Sequence, residues 1–145
     1  MVMTSQPALL CDPEKKYDDA ARIETFHRFS KSDRPPAIPM DPFFKLEKTT
    51  VILTDTEPCY IGNSLLDSIG GTIPGRMVKV NVAKFAIKAE VDIYPAPCSL
   101  KIRLYSQGDQ LAVEFQRRSG DAIAFQKTFQ RASALFQSLQ SRAIG

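Results

Sequence analysis

The strongest constraint on this chain lies between Cys98 and Ser141, where the spacing of apolar residues changes from two to three and four within a few positions. In the first run Leu100, Ile102 and Leu104 alternate with Lys101, Arg103 and Tyr105. In the second, Leu111, Val113 and Phe115 alternate with Ala112, Glu114 and Gln116. Period-two alternation puts one set of side chains on each face of a strand, so each run reads as a half-buried strand. Between them Gln107-Gly108-Asp109-Gln110 supplies the residues that tolerate the positive φ of a tight hairpin turn, and the two strands should pair antiparallel. Beyond Arg117-Arg118 the apolar positions become Ala122, Phe125, Phe129, Ala132, Phe136, Leu139 and Ala143, with Ser119 or Asp121 available as a helix cap. That is one continuous stripe on a helix of about six turns, with Lys127, Gln130, Arg131 and Ser138 opposite it. The helix from about Asp121 to Ser141 is predicted to pack Phe125, Phe129, Ala132, Phe136 and Leu139 onto the apolar face of the hairpin.

The rest of the chain is legible mainly through its breaks. Asp12-Pro13 is a helix start, and Glu14 to Lys31 can continue as a helix with a loose apolar stripe. Pro35, Pro36, Pro39 and Pro42 forbid helix or central strand and mark a linker, so residues 1–42 are expected to be an extension, residues 1–40 dispensable for the fold, and residues 43–145 the domain. Phe43 to Leu53 suits a strand with a bulge or at an edge. Thr56, Glu57 and Pro58 open a short helix with Ile61, Leu65 and Ile69 buried, ending at Gly70-Gly71. From Arg76 to Tyr94 an extended segment changes phase near Ala83-Lys84, which requires a bulge or a tight turn. The expected fold class is α+β: an antiparallel sheet with a short helix and a long C-terminal helix packed on one face.

Composition narrows the function. At 145 residues, 43% hydrophobic and 24% charged, the chain can bury one core and has no apolar run long enough to span a membrane. The N-terminal MVMTSQPALL is too short and uncharged for a secretory signal, which gives the cytoplasm as the expected location. Cys11, Cys59 and Cys98 lie far apart with no paired spacing, so neither a disulfide framework nor a zinc site is expected. The one histidine, His27, has no companion at ligand spacing, and nucleophile-elbow, phosphate-loop, dinucleotide and kinase signatures are all absent from the sequence. No enzyme and no cofactor is therefore expected.

Charge is unevenly distributed. Residues 1–40 hold six basic and six acidic groups, whereas residues 76–145 hold eleven basic against five acidic. Lys101 and Arg103 share the outward face of a hairpin strand, and Arg117 and Arg118 end the next. Lys79, Lys84 and Lys88 lie on the preceding extended segment, and Lys127 and Arg131 on the final helix. Convergence of several would make an anion-attracting surface. Arg117 and Arg118 either face an anion beside the helix N-terminus or pair with Asp121 or Glu114. With the phenylalanines of this region placed in the core and only Tyr105 pointing outward, the stacking platform of a nucleic-acid binder is missing.

The segment VEFQRRSGDAIAFQKTFQRASALF resembles the C-terminal signature of kinase-associated-1 domains, found at the ends of microtubule-affinity-regulating and checkpoint kinases. Val113, Phe115, Arg117, Ser119, Gly120 and Phe125 occupy its places, and the resemblance extends more weakly back to Phe43. It implies a non-catalytic regulatory module that binds anionic phospholipid as a peripheral membrane protein, restrains a protein kinase domain, or does both. The basic position before the serine, used by lipid-binding members, falls here on Arg117 flanked by Arg118, while Glu114 and Gln116 stand where some members carry further basic groups. The alternative is a protein-interaction module using the sheet or the N-terminal helix.

Overall fold

The computed structural model describes residues 28–144, and the order of elements is β1 (Thr50–Thr54), α1 (Pro58–Ser68), β2 (Gly75–Asn81), β3 (Ala86–Val91), β4 (Cys98–Gln107), β5 (Gln110–Gly120) and α2 (Ala122–Ile144). The five strands form one antiparallel sheet in the order β1-β5-β4-β3-β2, so the hairpin of β4 and β5 is central and β1 and β2 are the edges. The expected α+β class is the one observed. The hairpin turns on Gly108 and Asp109, Gly108 taking a φ of 63° that costs glycine nothing. Asp121 caps α2, its Oδ2 accepting from the Ala124 amide at 2.7 Å.

One face of the sheet carries the core. Leu100, Ile102 and Leu104 of β4 are buried with Leu111, Val113 and Phe115 of β5 and Ile87, Ala89 and Val91 of β3. From α2, Phe125, Ala132, Phe136 and Leu139 are buried with them, and the Phe115 ring meets Phe129 edge-on and Phe136 at a tilt. Two details of the stripe differ from expectation. Ala122 is exposed, and the first two turns are seated instead by Ala124 and Thr128, because the cap at Asp121 sets the rotation of the helix.

The opposite face is not left bare. Tyr105, expected to point into solvent, is buried, as are Ala112 and Glu114 of β5. The cover is the segment running from residue 28 to β1. Phe44 sets its ring edge-on to Tyr105 at 5.7 Å, Glu114 accepts from the Glu47 amide, and Thr49 exchanges hydrogen bonds with the backbone of Phe115. The stretch from Phe43 to Thr49 is therefore not strand, and only Thr50–Thr54 pairs in regular register with β5.

The proline-rich segment is likewise part of the folded unit rather than a linker. β4 outruns β3 at its end, and residues 36–38 fill the vacated place: Ser106 donates its amide to the Pro36 carbonyl, and its own carbonyl receives the Ile38 amide. Phe29 is fully buried and stacks on Phe85 at 4.2 Å. The Asn63 side chain of α1 holds the Phe29 backbone at both ends, accepting from its amide and donating to its carbonyl. A Cβ at Gly62 would stand 2.5 Å from the Phe29 ring, so only glycine admits that ring against α1. The boundary expected at residue 42 therefore lies no later than residue 28. Residues 28–31, the end of the expected first helix, are not helical, and Glu14 to His27 fall outside the described residues.

Two smaller expectations are also corrected. Thr56 does not cap α1, because its hydroxyl bonds the Thr54 carbonyl and Glu57 stands at the cap with no side-chain bond. Cys59 is buried and disulfide-bonded, a proximity that spacing along the chain could not show. Among the described residues no helix is long and apolar enough to cross a membrane.

Two stability outcomes follow. Phe136→Ala, which empties a fully buried aromatic site, should cost about 3–5 kcal/mol in urea denaturation. A chain starting at residue 43 loses Phe29 and should be destabilised by at least the same ~3–5 kcal/mol, whereas one starting at residue 28 should keep a cooperative transition. Equal stability of the two truncations would remove Phe29 from the core.

Candidate functional site

The half of the outer sheet face that the N-terminal segment leaves uncovered is basic. In the antiparallel register Lys79 of β2 lies opposite Lys88 of β3, and Lys88 lies opposite Lys101 of β4, giving a row of three ammonium groups across three strands. Adjacent strands are about 4.8 Å apart, so the row spans ~10 Å at the backbone. The neighbouring row is Asn81, Ala86 and Arg103. Ala86 is the small member, and above it opens a cleft of about 180 Å³ lined by Lys79, Asn81, Lys84, Ala86, Lys88 and Lys101. Lys84 enters from the β2–β3 turn, where Asn81 Oδ1 accepts its amide and Phe85 closes the turn on Val82. The phase change read near Ala83-Lys84 is this tight turn.

A second irregularity sets the row. Between Met77 and Lys79 the β2 register shifts, so Val78 bulges out, 42% exposed, and Lys79 rather than Val78 faces Lys88. Alternation alone would put Val78 in phase with Val80 and Val82. Without the shift, Lys79 and Val80 would exchange faces, and Val80 would lose its packing against the core.

The electrostatics are one-sided. The two salt bridges among the described residues are Arg28 with Asp67 and Arg76 with Glu90, and neither involves a residue lining the cleft. The pKa of Lys101 is pushed below its ordinary value, first by desolvation and then by Arg103, Arg118, Lys88 and Lys84. Those causes identify the cationic neighbours that converge on it. Arg103 lies over the Tyr105 ring at 5.2 Å, and its buried Nε has no hydrogen-bond partner among the described residues. Glu114, the residue opposite Arg103, spends its two oxygens on the Glu47 amide and the Gln116 side chain. Glu114 is thus a structural carboxylate that ties down the covering segment.

Of the nine basic residues singled out in the sequence, six converge here: Lys79, Lys84, Lys88, Lys101, Arg103 and Arg118. The other three do not. A register shift beside Ser99 and Leu100 separates Arg117 from Arg118. Arg118 reaches back to Gln116 on the basic face, while Arg117 turns to the end of the sheet and bonds the Gly120 carbonyl at 2.9 Å. Neither arginine pairs with Asp121 or Glu114, contrary to one of the two expected readings. Lys127 donates to the Tyr94 carbonyl beneath a cation–π contact, and Arg131 reaches the Thr72 carbonyl. Both lie on the helical layer, because α2 covers the other side of the sheet. Asn81 and Ala86 were not anticipated, since the floor of the cleft depends on register.

No protein-family model matches the chain, and no curated protein matches it. Among the described residues no group of three or more histidine, cysteine or acidic side chains is placed to hold a metal.

The lowered pKa gives a signed prediction. A lysine whose folded pKa lies below its unfolded value opposes folding at low pH, and this penalty disappears as pH rises through the folded value towards the ordinary 10.5. Lys101→Gln should therefore raise stability near neutral pH by roughly 0.2–1 kcal/mol, the size of one exposed charge interaction, and the gain should shrink in alkaline buffer. Thermal melts showing a loss of stability, or a gain independent of pH, would contradict the clustering.

Proposed function

We propose that this is a non-catalytic module that docks the open half of its sheet on an anionic phospholipid surface. The observation that carries it is the row of Lys79, Lys88 and Lys101, set abreast by the β2 bulge and without a salt bridge among the described residues. Like charges directly opposite on a sheet destabilise it, and an external anion at the small-floored cleft would relieve that repulsion. Phosphate oxygens offer both the charge and the acceptors that lysine ammonium groups lack here. The resemblance to kinase-associated-1 domains supports the same reading. It also supports a regulatory role in a Ser/Thr protein kinase, in which membrane docking and restraint of a kinase domain compete.

The test is co-sedimentation with vesicles of phosphatidylcholine mixed with phosphatidylserine. The double substitution Lys88→Ala and Lys101→Ala should weaken binding about thirtyfold, at ~1 kcal/mol for each charge near the surface. Arg117→Ala should leave binding near that of the parent chain, since Arg117 lies outside the cluster. Binding should fall as the Debye length shrinks from about 10 Å at 0.1 M salt to about 3 Å at 1 M. Equal binding by the parent and the folded double variant would overturn the assignment and favour the protein-interaction reading.

A further inference from the structure

The segment that covers Tyr105 also carries the most exposed apolar side chains of the described residues. Met40 is 95% exposed and Phe43 91%, and they flank Asp41-Pro42 in one turn. The turn is built, not frayed: Asp41 Oδ1 accepts the Phe43 amide at 2.9 Å and the Asp41 carbonyl accepts the Phe44 amide at 2.9 Å. Phe44 then anchors it to the sheet through Tyr105. Two large apolar residues are thus held in water by a tight turn, although the neighbouring phenylalanine is seated on the protein.

Tyr105 links this turn to the basic cluster. On the outer face of β4, Tyr105, Arg103 and Lys101 follow at alternate positions, about 7 Å apart, with the Arg103 guanidinium over the Tyr105 ring. The turn resting on Tyr105 and the cleft beside Lys101 therefore share one side of the molecule, and α2 occupies the other. A bilayer is the partner whose chemistry matches both: anionic headgroups for the lysines and, just beneath them, hydrocarbon for Met40 and Phe43. We infer that the Met40–Phe43 turn inserts into the bilayer as an apolar wedge while the lysine cleft holds headgroup phosphates. This rests on the reading proposed above and adds a contribution to binding that salt does not screen. Asp41, the acidic residue at the tip, already spends one carboxylate oxygen within the turn.

The chain contains no tryptophan, so Phe43→Trp creates a single reporter in the full-length protein. With phosphatidylcholine–phosphatidylserine vesicles its emission should shift to the blue and be quenched by lipids brominated on their acyl chains. Pure phosphatidylcholine vesicles and inorganic phosphate should produce neither change. Met40→Ser with Phe43→Ser should leave the melting temperature unchanged but weaken vesicle binding about ten- to a hundredfold, the range expected for partial burial of two large side chains. What binding remains should be abolished by high salt. Binding with an unshifted, unquenched reporter would overturn insertion and leave the charge-driven reading standing. Absence of binding by the parent chain would overturn both. A blue shift that appears without vesicles and grows with protein concentration would make the turn a contact between copies and overturn the inference.

Discussion

The register of the central sheet is the constraint on which the remaining features depend, and it is enforced from the core side. α2 buries Phe125, Phe136 and Leu139 against a surface to which β3, β4 and β5 each contribute alternate residues. Because the side-chain period of a strand is two, slipping any of these strands by one position would move its whole apolar set into water. The outer-face residues have no comparable freedom to choose their neighbours. Lys88 must stand between Ile87 and Ala89, and Lys101 between Leu100 and Ile102, so once the apolar residues are seated the lysines are aligned as a by-product.

That alignment opposes folding, and β2 increases the cost rather than relieving it. An unbulged β2 would place Val78 opposite Lys88; the observed one expels Val78 and brings in a third lysine. The same shift returns Val80 to the core side, where it packs, so part of the cost is offset locally. Next to the row the small side chain of Ala86 leaves a depression instead of the packed pair that would cover a merely structural sheet face. The bulge thus both seats Val80 against the core and brings Lys79 into the row, while Ala86 leaves the cleft its floor. Bulges of this kind recur where a side chain is re-aimed for function.

What could be read from the sequence follows the range of the interactions involved. The β4–β5 hairpin and α2 were legible because their signals are local: Gly108-Asp109 for the turn, Asp121 for the cap, and an unbroken stripe from Phe125 to Leu139. The tight turn before Phe85 was visible as a change of phase. The slip at Met77–Lys79 was not, because three alternating valines read as a regular strand and the break is defined only by the partner strand. The same limit explains the choice of Arg117, which stands beside Arg118 in sequence but is turned away from it by a second register shift. The convergence of Lys79, Lys88 and Lys101 was half legible: their facing follows from parity, their mutual register does not. Tyr105 and Glu114 were misplaced because nothing in the strands themselves reveals that another segment covers them.

That covering segment shows how a proline-rich stretch can belong to a fold without regular structure of its own. Pro36 has no amide to offer a ladder, yet its carbonyl accepts from Ser106, and Ile38 two residues later supplies the donor. Phe29 at one end is clasped by Asn63 and fills space that Gly62 leaves, while Phe44 near the other end lies on Tyr105. Between these anchors the segment passes from the helical layer, round the end of β3, to the outer face. It closes the half of that face bearing Tyr105, Ala112 and Glu114, and it stops short of the half bearing Lys79, Lys88 and Lys101. The border of the open cleft is therefore drawn by residues that also complete the core, which ties the exposure of the lysines to the folding of the whole described chain.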